Sequence, residues 1–154
     1  MLTGLNVTVP HKEAALALAT EVRPAAKEAG AANLLIFKDG EIIADNTDGL
    51  GLLAALAEQA GFAPAGKTVT VLGAGGAARG AVAALTAAGA KKIWVVNRTL
   101  ERARALEALG PVKGVGWVKS LDAFETDAVI NATTLGLGGG PGPHAPLGMT
   151  PTRC

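Results

Sequence analysis

The sequence predicts an α/β protein made of two successive α/β units, and two observations lead to this fold class. From Thr68 onward, short β-branched runs alternate with alanine-rich helical runs, which is typical of a parallel sheet with crossover helices. A glycine-rich segment follows the first of those strands and opens the next helix. Ahead of it, shorter apolar runs and turn signals indicate a smaller unit of strands and helices.

The composition supports a folded chain and excludes several classes of function. Of the 154 residues, 49% are hydrophobic and 18% are charged, so disorder is not expected. The net charge of +1 offers no electrostatic basis for binding nucleic acid or an anionic membrane. The single cysteine, Cys154, excludes an intrachain disulfide and a cysteine-based metal site, so no metal is expected. The start shows no secretory signal, and no apolar stretch could span a membrane, so a cytoplasmic location is predicted.

The first unit contains three predicted strands and two predicted helices. Alternation of apolar and polar residues predicts a strand over 5–9, which Pro10 ends. Asp39-Gly40 is a hairpin signal between two further strands. A last helix is predicted to begin at a hydroxyl cap, Thr47, and to end at Gly61. The two strands of the hairpin span 33–38 and 41–44, and the two helices span 12–19 and 47–60.

The second unit begins after Pro64-Ala65-Gly66-Lys67, where we predict a domain boundary. Its predicted strands span 68–72, 92–96, 115–118 and 128–131, and its predicted helices span 75–88, closed by Gly89, and 100–109. These elements divide the chain into domains over 1–63 and 64–135. Residues 136–154 are rich in glycine and proline without periodicity, which predicts a loop or disordered tail.

The glycine-rich segment matches the dinucleotide-binding pattern G-x-G-x-x-A. Gly73 would make the tight turn out of the strand, Gly75 would leave room for a pyrophosphate, and Ala78 would let helix and strand approach closely. The start of the following helix offers free N–H groups to phosphates. The alternative is a small-residue turn that only packs a helix on a sheet. The candidate contacts are Gly73, Ala74, Gly75, Gly76 and Ala77.

The end of the next predicted strand favours NADP over NAD. NAD-binding proteins usually place an acidic residue there for the ribose 2′-hydroxyl, but this sequence has Asn97, Arg98 and Thr99. An arginine can bind a 2′-phosphate with two hydrogen bonds and stack on adenine. Asn97 and Thr99 can add polar contacts. The alternative is that Arg98 is a solvated surface charge and Thr99 only caps the next helix.

Lys12 and Asp48 each follow a predicted strand and enter a predicted helix. Polar residues gathered at strand ends line the crevice of an α/β domain, so the two side chains could meet there. Such a pair is suited to passing a proton to or from a substrate oxygen. The alternative is two helix-end charges in water. His11 has no evident partner, which favours a packing or solvent-facing role.

Taken together, these segments resemble the shikimate dehydrogenase family. The lysine and aspartate segments are specific to it, whereas the glycine segment alone is not. The matching segments occur in the family's order and at about its spacing, and they are 4–12 (GLNVTVPHK), 30–33 (GAAN), 45–49 (DNTDG), 73–78 (GAGGAA), 97–99 (NRT) and 131–133 (NAT).

The resemblance implies a substrate-binding α/β domain followed by a Rossmann-type NADP-binding domain. Hydride would pass from NADPH to the ring ketone of 3-dehydroshikimate, giving shikimate. Lys12 would be the catalytic acid/base and Asp48 its partner, in contact with substrate hydroxyls. Asn33 would hold the substrate, and Thr8 would lie beside it.

The segment Asn131, Ala132 and Thr133 would end the fourth strand of the cofactor sheet near the nicotinamide. Its alternative is a simple strand exit. Family members are monomers or dimers, so a homodimer stays open.

The chain also departs from the family's pattern. It starts just before the strand that carries Thr8, and it stops about a hundred residues early, so we expect both domains to be incomplete. Leu34 stands where a threonine is usual. We therefore expect poor stability and weak or no turnover from this chain alone. The alternatives are a non-catalytic nucleotide-binding fragment and an NAD-dependent quinate or shikimate dehydrogenase.

Overall fold

The structure is a computed structural model that describes residues 2–122 and 124–136. Its first sheet, called here the N-terminal sheet, has the strand order β1-β3-β4-β2. The β1–β3 and β3–β4 pairs are antiparallel and the β2–β4 pair is parallel. The elements are β1 (Gly4–Asn6), α1 (Lys12–Ala17), β2 (Glu21–Val22), α2 (Pro24–Ala29), β3 (Leu34–Lys38), β4 (Glu41–Asp45) and α3 (Asp48–Ala60).

The hairpin between β3 and β4 is confirmed. Asp39 and Gly40 both take positive φ, at 52° and 84°. Two successive positive φ angles are the geometry that favours an Asp-Gly pair in a two-residue hairpin. The strands on either side pair in register from Leu34↔Asp45 to Lys38↔Glu41.

The first strand is shorter than predicted. It ends at Asn6, which faces Leu34, the first residue of β3. The Val7 N–H makes one more bond, to the Asn33 carbonyl. Beyond that point the partner strand has ended, so the alternating run up to Val9 has nothing to pair with and turns instead.

Two elements were not predicted at all, β2 and α2. The helix carries the usual end signals, Pro24 in its first turn and Gly30 after it in left-handed conformation. It has only six residues, too few to show a clear helical period. The helix predicted over 12–19 ends at Ala17.

The start of α3 corrects one prediction. Thr47 occupies the N-cap position but makes no side-chain capping hydrogen bond, and its backbone is in the right-handed helical region rather than the extended one. Its hydroxyl instead accepts a hydrogen bond from the Asn33 side chain. The other end is as predicted, because Gly61 closes the helix with φ 58°.

The second sheet, called here the C-terminal sheet, is entirely parallel with the order β7-β6-β5-β8, as the alternating pattern predicts. Its central strands are buried on both faces, by α4 and α5 on one side and by the segment after β7 on the other. The elements are β5 (Thr68–Leu72), α4 (Gly76–Ala87), β6 (Lys92–Asn97), α5 (Leu100–Ala105), a 3-10 turn (Leu106–Leu109), β7 (Val112–Gly116) and β8 (Ala128–Asn131).

The strand predicted over 115–118 is displaced by three residues, since β7 begins at Val112. Gly114 lies in the middle of this strand against α5, where an added Cβ would come within 2.5 Å of the Arg104 backbone nitrogen. A glycine lowers the strand propensity of this part of the sequence, but it allows β7 to approach α5 closely. Trp117 and Val118 leave the ladder and pack on Leu72 and Val96. The helix predicted over 100–109 is α-helical only to Ala105.

The two sheets meet through helices, with α4 packed against both α2 and α3. The contact is close because its residues are small: an added Cβ on Gly49 would lie 2.8 Å from the Ala84 Cβ. The division into domains over 1–63 and 64–135 stays a prediction. Of the predicted tail, all but Gly136 lies outside the described residues. No described helix has the length and apolar character needed to cross a bilayer.

Candidate active site

Lys12 and Asp48 are the first residues of α1 and α3, and the structure brings their side chains together. The Lys12 Nζ donates a hydrogen bond to the Asp48 Oδ2 at 2.5 Å. The side chains are 17% and 35% exposed, so the pair is half-buried but reachable from solvent. The pair is therefore accessible to a small ligand from the solvent side.

Asn33 fixes the second oxygen of Asp48. Its Nδ2 donates to the Asp48 Oδ1 at 2.7 Å and to the Thr47 Oγ1 at 3.1 Å. Its Oδ1 accepts the Thr47 N–H at 2.9 Å. The side chain is therefore tied to the start of α3 from the end of the loop before β3. Lys12, Asn33 and Asp48 form one hydrogen-bonded cluster, which we call the lysine–aspartate cluster.

Asn46 belongs to the support of this cluster and was not singled out from the sequence. It is 5% exposed, donates from Nδ2 to the Ala31 carbonyl at 2.9 Å and accepts the Asp48 N–H at 3.0 Å. The signal was present, because an asparagine just before a helix commonly accepts a hydrogen bond from the first helical N–H groups.

Thr8 lies in the turn that leads into α1. Its carbonyl accepts the His11 N–H at 2.8 Å, and its side chain is exposed. The structure thus places Thr8 four residues before Lys12 on the exposed side, without a described contact to Asp48. His11 is exposed at the N-cap of α1 and makes no side-chain cap, as a solvent-facing histidine would.

The glycine turn at the end of β5 has the geometry that its sequence pattern requires. Gly73 has φ 104°, and an added Cβ would come within 3.0 Å of the Ala132 carbonyl oxygen. Gly75 is extended, and an added Cβ would meet nothing within 4 Å. Gly73 is therefore required by the fold, whereas Gly75 borders open space at the start of α4. The free N–H groups of a helix start attract phosphate groups. Ala78 is fully buried, as close helix–strand packing demands.

A crevice of about 710 Å³ runs along the carboxyl ends of the strands. Asn97 ends β6 here and Arg98 follows it, and the Asn97 Nδ2 donates to the Thr99 carbonyl at 2.9 Å. Thr99 makes no side-chain cap on α5. Arg102, on α5, also lines the crevice and was not singled out from the sequence. The lining is Gly73, Ala74, Gly75, Asn97, Arg98, Arg102, Trp117, Ala132, Thr133, Thr134 and Leu135.

The segment after β8 lies beside the glycine turn. The Asn131 Oδ1 accepts hydrogen bonds from the Thr133 N–H at 3.0 Å and the Thr133 hydroxyl at 2.6 Å, while its Nδ2 donates to the Leu135 carbonyl at 2.9 Å. These bonds close a tight turn that holds Ala132 against Gly73. The turn forms one wall of the crevice.

A second crevice, of about 300 Å³, joins the lysine–aspartate cluster to the glycine turn. Lys12 and Ala31 line it from the side of the N-terminal sheet. Gly76 and Ala132 line it from the side of the C-terminal sheet. It shares Gly75, Ala132 and Thr134 with the larger crevice. A ligand that crosses the glycine turn can therefore reach Lys12. Within residues 2–122 and 124–136, no group of three or more His, Cys, Asp or Glu side chains is placed to hold a metal ion.

The parallel sheet, the glycine turn and the open start of α4 define an α/β protein of the dinucleotide-binding class. Two family models match the chain: "Shikimate / quinate 5-dehydrogenase" over residues 55–135 and "Shikimate dehydrogenase substrate binding domain" over residues 1–35. The chain belongs to the shikimate/quinate 5-dehydrogenase family, and its fold is the Rossmann-type α/β fold that the sequence predicts.

Individual relatives agree with this membership. A shikimate dehydrogenase (NADP(+)) of Caulobacter vibrioides is 56% identical over 96% of this chain and 54% of its own length. The structure of shikimate 5-dehydrogenase from Thermus thermophilus with NADP(H) and shikimate matches at TM-score 0.78 and 38% identity, over 95% of this chain and 55% of that one. A quinate dehydrogenase from Corynebacterium glutamicum with NAD matches at TM-score 0.79 and 32% identity, over 92% and 53%. The chain spans about half the length of the curated relatives it matches.

Proposed function

We propose that this chain carries the reacting groups for NADPH-dependent reduction of 3-dehydroshikimate to shikimate. The observation that carries the proposal is the position of the lysine–aspartate cluster on a crevice that continues to the glycine turn. A substrate held beside Lys12 would thus lie within reach of a dinucleotide bound across that turn. The Caulobacter relative's name and the Thermus complex support this choice of substrate and cofactor.

Within the proposal, Lys12 moves the proton. In the direction of reduction, its Nζ donates a proton to the oxygen that was the substrate's ketone, and in oxidation it takes that proton back. Asp48 accepts a hydrogen bond from the Nζ and so fixes its direction. Asn33 occupies the other Asp48 oxygen, which keeps the carboxylate from rotating away. Thr8 is proposed to lie beside the substrate, on the turn before α1.

The cofactor is proposed to lie along the larger crevice. When bound, NADPH supplies the hydride. The backbone of Gly73, Ala74, Gly75, Gly76 and Ala77 would hold the pyrophosphate. Arg98, with Asn97 and Thr99, would hold the 2′-phosphate, because none of the described residues that line this crevice has an acidic side chain to repel it. Asn131, Ala132 and Thr133 would lie on the nicotinamide side.

We assign one function to the part of the chain around each sheet. Residues 1–63 are proposed as the substrate-binding domain and residues 64–135 as the NADP-binding domain. A cytoplasmic location and a homodimer stay predictions.

The test is shikimate-dependent reduction of NADP⁺ by the purified chain, followed at the nicotinamide absorbance, with NADPH binding measured by calorimetry on the same sample. We expect binding, together with a weak shikimate-dependent rate. Binding without any rate would favour a non-catalytic nucleotide-binding role. Absence of both would contradict the proposal.

Quinate with NAD⁺ is the second pair to assay, since the Corynebacterium quinate dehydrogenase with NAD matches the fold equally well. Arg98 favours NADP. A higher kcat/KM for quinate with NAD⁺ than for shikimate with NADP⁺ would replace the first assignment with this one.

A further inference from the structure

We propose that Trp117 is an adenine-binding residue whose indole ring forms an aromatic wall of the larger crevice. This inference rests on the proposed dinucleotide cofactor, and it assigns to Trp117 the half of the cofactor that lies away from the reacting ring. The ligand chemistry is a purine base, recognised by stacking rather than by charge.

The strand order sets the direction in which the cofactor lies. The glycine turn is at the end of β5, with β8 on one side and β6 and then β7 on the other. Lys12 shares its crevice with Ala132 and Thr134, which follow β8. The reacting ring must therefore extend from the pyrophosphate toward β8. The adenosine half is left to extend the opposite way, over the ends of β6 and β7.

Trp117 stands at that end of the sheet. It follows directly after Gly116, the last residue of β7, and Gly116 pairs with Asn97 at the end of β6. Trp117 lines the same crevice as Arg98 and Arg102. An arginine plane and an indole in one crevice offer flat surfaces to a purine, because both stack on aromatic bases.

The hydrophobic core beneath the C-terminal sheet also holds Trp117 in place. Trp117 packs against the buried cluster of Leu72, Val96 and Leu121, so it is half-buried with part of its surface in the crevice. A ring that is already ordered loses little conformational freedom when a base stacks on it. Trp117 thus combines a supported position with partial exposure at the crevice.

The second tryptophan provides an internal contrast. Trp94 lies in the middle of β6, where it contacts Phe124 edge-on at 5.0 Å between ring centres and carries the Lys92 ammonium 3.6 Å above its ring. Trp94 does not line the larger crevice. Since the chain has only these two tryptophans, Trp94→Phe leaves Trp117 as the sole indole fluorophore.

The experiment measures binding of two adenine nucleotides, 2′,5′-ADP and 5′-AMP, and of nicotinamide mononucleotide. The variants are Trp117→Leu, which keeps apolar bulk on the cluster, and Trp117→Phe, which also keeps an aromatic face. Base stacking on an aromatic ring is lost in Trp117→Leu, so both adenine nucleotides should bind about tenfold more weakly. Trp117→Phe should recover most of that loss, and nicotinamide mononucleotide should bind equally to all three proteins. In Trp94→Phe, 5′-AMP should quench the remaining fluorescence.

The outcomes separate this inference from the proposed function. Equal affinity of Trp117→Leu and the unsubstituted chain for 5′-AMP overturns the inference while leaving the cofactor assignment intact. The expected pattern without any shikimate-dependent rate supports the inference and counts against the proposed reaction. If neither 2′,5′-ADP nor NADPH binds to the unsubstituted chain, both are overturned. A melting curve for each variant shows whether the weaker binding comes from unfolding, and Trp117→Phe that folds but does not recover binding also overturns the inference.

Discussion

The N-terminal and C-terminal sheets hold their candidate site residues in different ways. In the N-terminal sheet the groups are side chains, and Lys12 and Asp48 meet across 36 positions of sequence. In the C-terminal sheet the central group is a backbone turn, Gly73 to Gly75, formed by consecutive residues. Its strands are also more deeply buried: Val69, Val71 and Leu72 of β5 are fully enclosed, whereas β4 encloses only Ala44.

The difference shows where each site is sensitive to change. A site made of backbone tolerates changes in side chains but not in the fold around its glycines. A site made of side chains depends on every hydrogen bond that orients them, since the reacting groups must be held closely in place. Four substitutions test this contrast, taken from the largest expected effect to the smallest.

Lys12→Ala should lower kcat of the shikimate-dependent reaction by about a hundredfold or more, since a positioned acid/base group contributes that much. NADPH affinity, measured by calorimetry, should stay within about twofold because the glycine turn does not use this side chain. Lys38→Ala, at the exposed end of the β3–β4 hairpin, is the matched control and should leave both unchanged. Equal losses of turnover and NADPH binding would remove the proton-transfer role from Lys12.

Gly49→Ala should destabilise the chain by about 1–3 kcal/mol, because the added methyl would overpack the contact between α3 and α4. That methyl would lie 2.8 Å from the Ala84 Cβ and 3.2 Å from the Gly80 carbonyl oxygen. Urea unfolding measures the effect.

The control is Gly51→Ala on the same helix, where the added Cβ meets nothing within 4 Å. It should stabilise the chain by roughly 0.5–1 kcal/mol through helix propensity. If the two variants unfold at the same urea concentration, the two sheets are not held together by this close contact.

Arg98→Ala should weaken NADPH binding about tenfold, because charged hydrogen bonds to the 2′-phosphate are lost. NADH binding should change much less, and calorimetry with both nucleotides gives the comparison. Arg104→Ala, on α5 but outside the crevice lining, is the matched control. An equal effect of Arg98→Ala on NADPH and NADH would count against the phosphate contact.

Asp127→Asn should have the smallest effect, a slight loss of stability near neutral pH that disappears in acid. The Thr68 N–H donates to the Asp127 Oδ2 at 2.8 Å, and this bond, aided by Lys67, holds the pKa of the carboxyl below its ordinary value. A lowered pKa means that the ionised group stabilises the fold above the ordinary pKa, and that this contribution is lost as pH falls through the folded-state pKa.

The measurement is urea unfolding at a series of acidic pH values. Asp127→Asn should lose less stability on acidification than the unsubstituted chain. Parallel curves for Asp127→Asn and the unsubstituted chain would show that the Thr68 bond does not depend on the charge.

Local signals were sufficient for much of the fold. β5 and β8 have their predicted bounds, and α4 differs by one residue at each end, since apolar runs bounded by glycine identify such elements directly. Prediction failed where a neighbour decides the outcome. Val115 to Val118 is the most strand-like run in its region, yet the ladder with β6 begins at Val112, next to α5. Thr47 has the right residue type for a cap, but Asn33 binds its hydroxyl.

The candidate site residues were also predicted only in part from the sequence. The residues of the lysine–aspartate cluster stood out in the sequence, but Asn46, which holds Asp48 from below, did not. Arg102 and Trp117 were also missed, because neither lies in a recognisable motif. Trp117 reaches the crevice because β7 pairs with β6 up to Gly116, and Arg102 reaches it from α5, which follows β6.

The sequence by itself determined the alternation of strands and helices, the glycine turn and the family, because these depend on residues close together along the chain. Only the tertiary structure decided that Lys12 meets Asp48, that Asn33 occupies the second oxygen of that carboxylate, and that their crevice continues to the glycine turn. Lys12, Asn33 and Asp48 meet because backbone bonds tie the segment before β3 to distant parts of the chain, from the Ala32 N–H to the Lys12 carbonyl and from the Asn33 N–H to the Asp45 carbonyl. The crevice continues to the glycine turn because α2 and α3 pack on α4, and the small residues that allow this packing carry no chemical signal of their own.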